Sequence, residues 1–430
     1  MRKRSLLTIA VLALTPAMRL AKAQSVKKLT LADAEQTALH NHPRIASANL
    51  LAAAAKAVVT EARAPLYPFV AGNFTSVEAE HNSTLSAGMV QTSSLYSRVA
   101  AGVTLNQLIT DFGRTRNLVD SAKLRAAAQE QVVGDTRASI LIDVDDAYYH
   151  ALAADSVLDV ARAVVENRRL TLRQVRALAE SSLKSTLDVS FAEYAVSDAE
   201  LALVRAENDV QASRAALAAA LGSAQTEQYE LTDESLPAAL EPDPETVVAQ
   251  ALKQRPDLAV LRLNRDAADR FAQAEKDLSR PTVSLVGVAG DLPVADPRLK
   301  ETYSAAGVNV NVPIFNGRQY SARRQEAELR AQAAGRDVDT LTVHVSEQVR
   351  QAWLEANTAF RRLDVTARLV AQAEQSLHLA QTRYDNGLGS IVELNQAQLN
   401  QVSAEIAASS AKYDYLSRRS ALSFVTGALR

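Results

Sequence analysis

Ala38-Leu39-His40-Asn41-His42-Pro43-Arg44-Ile45 returns later in the chain as Ala251-Leu252-Lys253-Gln254-Arg255-Pro256-Asp257-Leu258. The match is not isolated. Pro68, which opens an apolar strand-like run, returns as Pro281; Val99–Leu105 returns as Ser304–Val310, Gly113-Arg114 as Gly317-Arg318, and Leu221-Gly222 as Thr426-Gly427. The second half therefore copies the first at a spacing of about 205 to 213 residues, and a duplication this long fixes most of the architecture. Each copy must be half of something that closes.

Each copy opens on a helical pattern. Leu31–Arg63 is rich in Ala, Leu and Val at helical spacing, and Pro43 predicts a kink or restart. A period of two follows. Val99, Ala101, Val103 and Leu105 alternate with Arg98, Ala100, Gly102, Thr104 and Asn106, and Val308, Val310 and Val312 alternate with Gly307, Asn309 and Asn311. Alternation of this kind reads as strands with one apolar and one polar side. Phe69–Glu80 and Val283–Ala289 are the partner strands, joined through the polar or turn-rich connections His81–Ser94 and Gly290–Lys300. Each copy thus carries one β-hairpin, over 66–109 and 281–314, long enough to cross a bilayer as tilted strands.

From Arg114 the period becomes helical for some 65 residues, roughly 100 Å of helix at 1.5 Å per residue. One heptad seam runs through Ile140, Val144, Ala147, Ala151, Ala154, Leu158, Ala161, Val165, Arg168, Leu172, Val175 and Ala179, broken only by Arg168. The second copy repeats it in register as Val345, Val349, Ala352, Ala356, Ala359, Leu363, Thr366, Val370, Ala373, Leu377, Ala380 and Tyr384. Short breaks at Glu180–Ser185 and Asp385–Ser390 precede returning helices over Thr186–Leu221 and Ile391–Thr426, so the helical hairpins span 113–221 and 317–427. The expected division is a first repeat over 24–222, a linker over 223–244 carrying Pro237, Pro242 and Pro244, and a second repeat over 245–430.

Composition agrees with long helices rather than a thick globular core: hydrophobic residues make up 47% but aromatic residues only 5%, and there is no cysteine. A net charge of −2 gives no nucleic-acid footprint. Arg2-Lys3-Arg4, the apolar run Leu6–Leu14 and Ala21-Lys22-Ala23 read as a signal peptide over residues 1–23, cleaved near Ala23. Beyond it no stretch reads as a transmembrane helix. An open four-stranded sheet in lipid would leave unsatisfied backbone edges, so the strands must pair with other copies. Two chains would supply about eight strands and three about twelve, and an open lumen favours the larger number.

The duplicated pattern resembles the TolC family of outer-membrane channel proteins over essentially the whole mature chain. Val312-Pro313-Ile314-Phe315-Asn316-Gly317-Arg318 is similar to that family's VPLF-x-GG lead into the second long helix, with Gln107-Leu108-Ile109-Thr110-Asp111-Phe112-Gly113 as its counterpart. Arg383-Tyr384-Asp385-Asn386-Gly387 with Ile391-Val392-Glu393-Leu394 resembles the family's hairpin tip, and Arg255-Pro256-Asp257-Leu258 its second-copy start. The resemblance implies a mixed α and β membrane protein: a homotrimer of four strands per protomer, sharing one transmembrane β-barrel above a long coiled-coil α-barrel. It implies the exit duct of a tripartite efflux pump or type I secretion system in a Gram-negative outer membrane, with a periplasmic adaptor and an inner-membrane transporter as partners. The rival reading is a periplasmic coiled-coil adaptor or structural protein, which would have no use for the amphipathic β-hairpins.

By the same resemblance Tyr384 and Asp188 match a Tyr–Asp pair in the periplasmic gate, and Glu393 matches the first of two acidic positions at the constriction. Gln396 stands at the second acidic position, Gly389 where the family has an arginine, and Leu187 where it has that arginine's threonine partner. The plainer alternative makes Tyr384 the end of the seam and Asp188 and Glu393 first-turn acids favoured by the helix dipole. The tips, Ser182-Leu183-Lys184 and Gly387-Leu388-Gly389, are candidates for docking the adaptor, because exposed leucines in tight turns call for a partner. Asp143, Asp146 and His150 share a helix face, but without a second cluster they read as a solvated or lumen-lining face, with Asp145 beside them. His40 and His42 point to different sides of a helix. No catalytic constellation is present, so no enzyme and no cofactor is expected, and the cargo is not legible.

Overall fold

A computed structural model of the chain describes residues 27–78, 84–87, 90–94, 97–224, 229–237, 239–240, 243–294 and 300–429. The expected signal peptide lies outside the described residues.

The chain enters through a three-residue strand, β1 (Lys27–Leu29), and the helices α1 (Leu31–Asn41) and α2 (Pro43–Arg63). Pro43 produces a restart: the helix stops at Asn41, His42 is extended, and the His42 Nδ1 accepts the Arg44 N–H at 3.2 Å as a new N-cap. Pro43–Leu66 is long and apolar enough by length and composition to cross a membrane, contrary to the expectation of no such segment. Its apolarity is largely alanine. It lies along the long helix α3 (Arg114–Glu180), with Ala48 and Ala52 against Val133, and leads into a sheet.

The strands follow as β2 (Phe69–Val77), β3 (Thr84–Ala87), β4 (Val90–Ser94) and β5 (Arg98–Thr110). The connection expected to be a polar loop is therefore partly a second small hairpin of β3 on β4. After α3 come α4 (Thr186–Ala220), β5's successor β6 (Tyr229–Leu231), α5 (Pro244–Gln254), α6 (Pro256–Lys276), β7 (Thr282–Val294), β8 (Thr302–Asn311), α7 (Gln319–Asp385) and α8 (Ile391–Val425). Strand β7 continues through Pro293, further than its alternation indicates, and Val312 falls just beyond β8. Helix lengths occur in pairs: 11 residues in α1 and α5, 21 in α2 and α6, 67 in α3 and α7, and 35 in α4 and α8.

The order β2-β5-β7-β8 forms one antiparallel sheet in which β5 pairs with β7, joining the two halves of the chain. Directly opposed residues of an antiparallel pair share a face. The register brings Val70 to Leu105, Leu105 to Gly287, and Leu285 to Val308, so Val70, Phe74, Val103, Leu105, Leu285, Val308 and Val310 lie on one side. Asn73, Thr104, Asn106, Ser284, Asn309 and Asn311 lie on the other, where Asn73 donates to Thr104 Oγ1 at 3.2 Å. In both halves a left-handed pair turns the last strand into the long helix: Phe112 and Gly113 (φ 55° and 107°) before α3, Gly317 and Arg318 (φ 61° and 68°) before α7. Asp111 secures the first junction by accepting Thr115 N–H at 2.7 Å and Gly113 N–H at 3.2 Å.

Every residue of the two heptad seams is buried or half-buried. The largest core joins α1, α3, α4 and α8 through Ala34, Ala38, Ile140, Val144, Tyr148, Leu217 and Leu416. There β1 pairs in parallel with β6, so the segment read as a linker is tied into the body. The buried Tyr148 hydroxyl lies 2.9 Å from Leu29 O and 2.8 Å from Thr232 O and accepts the Thr232 N–H at 3.2 Å, pinning both strands to α3.

Candidate functional site

The two helical hairpins end side by side. A small core of Val175 (α3), Ala192 (α4), Tyr384 (α7), Ile391 and Leu394 (α8) joins them there, with Leu172, Val189 and Leu377 packed around it. Tyr384 is thus both the last residue of the second seam and a contact between hairpins.

The two tips share one backbone solution. At the first, Leu183 N–H and Lys184 N–H reach back to Leu178 O at 2.8 and 3.3 Å; at the second, Leu388 N–H and Gly389 N–H reach Arg383 O at 2.8 and 3.0 Å. These bonds satisfy helix-end carbonyls, and they require a left-handed residue, which is Gly387 (φ 73°) at one tip and Ser182 (φ 59°) at the other. The turns leave Leu183 and Leu388 at 69% and 72% exposure.

The acids are placed by local chemistry. Ser185 caps α4: its Oγ accepts the Asp188 N–H at 3.2 Å, while its own N–H and Oγ–H donate to Asp188 Oδ2 at 3.0 and 2.9 Å. Ser390 caps α8 through the Glu393 N–H at 3.2 Å, and the Glu393 carboxylate pairs with Arg383 Nε at 3.1 Å. Arg383 also donates to Leu388 O at 3.1 Å, bracing the tip. Gln396 donates to Asn400 Oδ1 at 3.0 Å along α8.

The structure therefore brings Tyr384 near Asp188, but among the described residues the side-chain hydrogen bonds that the Asp188 carboxylate accepts come from Ser185. The Tyr384 hydroxyl is buried and has no hydrogen-bond partner among the described residues. Burial, followed by the charges of Asp188 and Asp385, raises its pKa. What does touch Tyr384 is Lys184, whose Nζ lies 3.8 Å from the ring centroid. Sequence reasoning placed Lys184 in a tip without this contact, because the pairing is between hairpins about two hundred residues apart. It also missed the Arg383–Glu393 pair, although both residues stand in the quoted tip motif.

Further along α3, Arg168 is buried within the seam and donates to Asn395 Oδ1 of α8 at 3.3 Å. Burial lowers its pKa, opposed by the charge of Asp198. Two of the acids on that face of α3 are engaged locally: Asp143 pairs with Arg44 at 3.1 Å, and Asp146 accepts from Ser417 Oγ at 2.5 Å. Among the described residues no cluster of three or more His, Asp or Glu is arranged to hold a metal ion.

A sequence model of the family described as "Outer membrane efflux protein" matches residues 35–223 and 247–428. The outer membrane protein TolC of Vibrio cholerae is 24% identical over 393 residues, covering 90% of this chain and 88% of that protein. The outer membrane efflux protein BepC of Brucella suis is 24% identical over 345 residues, covering 80% and 75%. Among solved structures, the outer membrane protein VceC from Vibrio cholerae superposes with a TM-score of 0.78 at 20% identity, covering 92% of this chain and 96% of that one. The outer-membrane channel OprN gives 0.80 at 19% identity, covering 92% and 89%.

Proposed function

The chain belongs to the outer membrane efflux protein family, and from that premise we propose that it is a passive exit duct, a homotrimer opened at the end where its helical hairpins meet. The observation that carries the reading is the four-stranded sheet. Its outer strands β2 and β8 are each paired on one side only among the described residues. Three copies placed edge to edge supply about twelve strands, enough to close a barrel with an open lumen, and closure removes every edge from lipid. The register supports the same orientation, with valine, leucine and phenylalanine turned outward and asparagine, serine and threonine turned toward water.

Below the barrel, helices of 67 residues reach roughly 100 Å, a trans-periplasmic distance. Tyr384, Asp188, Glu393 and Gln396 are assigned to the gate. The tips Ser182-Leu183-Lys184 and Gly387-Leu388-Gly389 are assigned to the periplasmic adaptor, behind which an inner-membrane transporter supplies the energy. The relatives named above are outer-membrane proteins, two of them named for efflux or as a channel, which supports the location and the partners. A freestanding periplasmic coiled coil leaves the amphipathic sheet without a role.

The test is biochemical. The mature protein should extract from outer membranes in detergent as a heat-modifiable oligomer three times the mass of the chain and conduct ions in planar bilayers. Recovery as a soluble periplasmic monomer would overturn the reading.

A further inference from the structure

The hairpin ends carry one contact that no hydrogen-bond pattern accounts for, between the tip of the first hairpin and the last turn of α7. Lys184 sits half-buried where the chain leaves α3, its backbone N–H directed to Leu178 O. Its Nζ stands 3.8 Å from the centroid of the Tyr384 ring, well within the range at which an ammonium is held by the ring's negative face. Tyr384 is 5% exposed and wedged among Val175, Ala192, Ile391 and Leu394, and Lys184 is half-buried, so the attraction is partly shielded from water. The hydroxyl of the same tyrosine has no partner among the described residues, and the Asp188 carboxylate accepts its hydrogen bonds from Ser185.

We infer that Lys184 is a positioning residue of the gate, linking the first hairpin to the second through its ammonium on the face of the Tyr384 ring rather than through the tyrosine hydroxyl. The inference rests on the gate reading given above and deepens it. Arg383, the neighbouring cation at this end, is paired with the Glu393 carboxylate at 3.1 Å, and Lys184 from the opposite tip is the cation set against the ring. Because Lys184 belongs to the α3–α4 turn and Tyr384 to α7, separating the hairpins breaks the contact, whereas breathing within either hairpin does not. The link also needs both partners in place. An ammonium without the ring is merely a solvated surface charge, and the ring without the ammonium is merely core.

The experiment is single-channel recording of the full-length oligomer in planar bilayers, with thermal stability of the oligomer as a parallel readout. Lys184→Met keeps the stem and removes the charge. It should raise the ratio of open to closed states by about five-fold per protomer, the equivalent of one such contact. Lys184→Arg should restore wild-type behaviour, and Tyr384→Phe, which keeps the ring, should match the wild type. Tyr384→Leu should open the channel, with no further effect of Lys184→Met in that background. Wild-type conductance in Lys184→Met, or opening by Tyr384→Phe equal to that of Tyr384→Leu, would overturn the link and return the latch to the hydroxyl. If folded channels of every variant, together with Glu393→Gln, conduct as wild type does, the gate is elsewhere and the function reading loses its opening end.

Discussion

Asp145 shows how one buried residue couples this chain to pH. It stands on α3, 1% exposed, and one carboxylate oxygen has no hydrogen-bond partner among the described residues. Burial pushes its pKa up to about 7; the Ser420 hydroxyl on α8 acts in the opposite direction, while Glu35 on α1 and Glu234 beside β6 add to the rise. The neighbouring Tyr149 donates to Glu234 at 3.2 Å, keeping that second carboxylate close. The native state therefore holds a proton that the unfolded chain releases near its ordinary value of 3.8. Stability is greatest at low pH in this window, falls as pH rises from about 4 to 7, and stays lower above it. Asp145→Asn removes the titration. The variant should be more stable than the wild type by roughly 4 kcal/mol at pH 8, by less at pH 5 and nearly equal at pH 4, read from thermal midpoints of the oligomer at the three values. A pH-independent difference would exclude Asp145 as the titrating group. Nothing in the sequence marked this residue out from Asp143 and Asp146 beyond one turn of helix. Its burial comes from α1 and α8, which are remote in sequence.

At the scale of elements, the seams and hairpins were legible because their determinants are local and periodic. A heptad pattern continues as long as the apolar spacing does, and Pro43 must interrupt a helix wherever that helix packs. The tips were legible for the same reason, and there the two halves diverge in one respect. Gly387 adopts the left-handed turn without a side chain, whereas Ser182 places a Cβ in a region that L-residues disfavour by roughly 1–2 kcal/mol. Ser182→Gly should stabilise the first hairpin by about 1 kcal/mol, the entropy of glycine offsetting part of the relief. Gly387→Ala should cost a similar amount at the second. Amide hydrogen exchange along Leu178–Lys184 would register the first change, and an unchanged or faster exchange would mean that the turn is not under strain. Less legible were the short elements. The three-residue β1 and β6 have too few positions to show a period, and they exist because Tyr148 and their parallel pairing hold them.

For the whole molecule, the sheet is the element that a single chain leaves incomplete. If its apolar face meets lipid in the assembled barrel, charge should be rejected there and accepted opposite. Val308→Arg, on the face shared with Leu285, should cost about 2–4 kcal/mol per protomer at mid-bilayer and sharply reduce the heat-modifiable oligomer in outer-membrane extracts. Asn309→Arg, one residue on and facing the other way, should assemble normally and alter ion selectivity instead. Equal assembly of the two variants would mean that the face assignment is inverted or absent. The amino-acid sequence carries the order and length of the long helices, the alternation of the strands and which residues of each strand share a face. Those follow from periods of 3.6 and 2.0 that need no knowledge of neighbours. The pairing of β5 with β7, the burial of Asp145 and Arg168, and the placement of Lys184 on Tyr384 come from tertiary packing. Each depends on which distant segments meet, and a pattern of hydrophobicity along the chain carries the periods of its elements but not the identity of their partners.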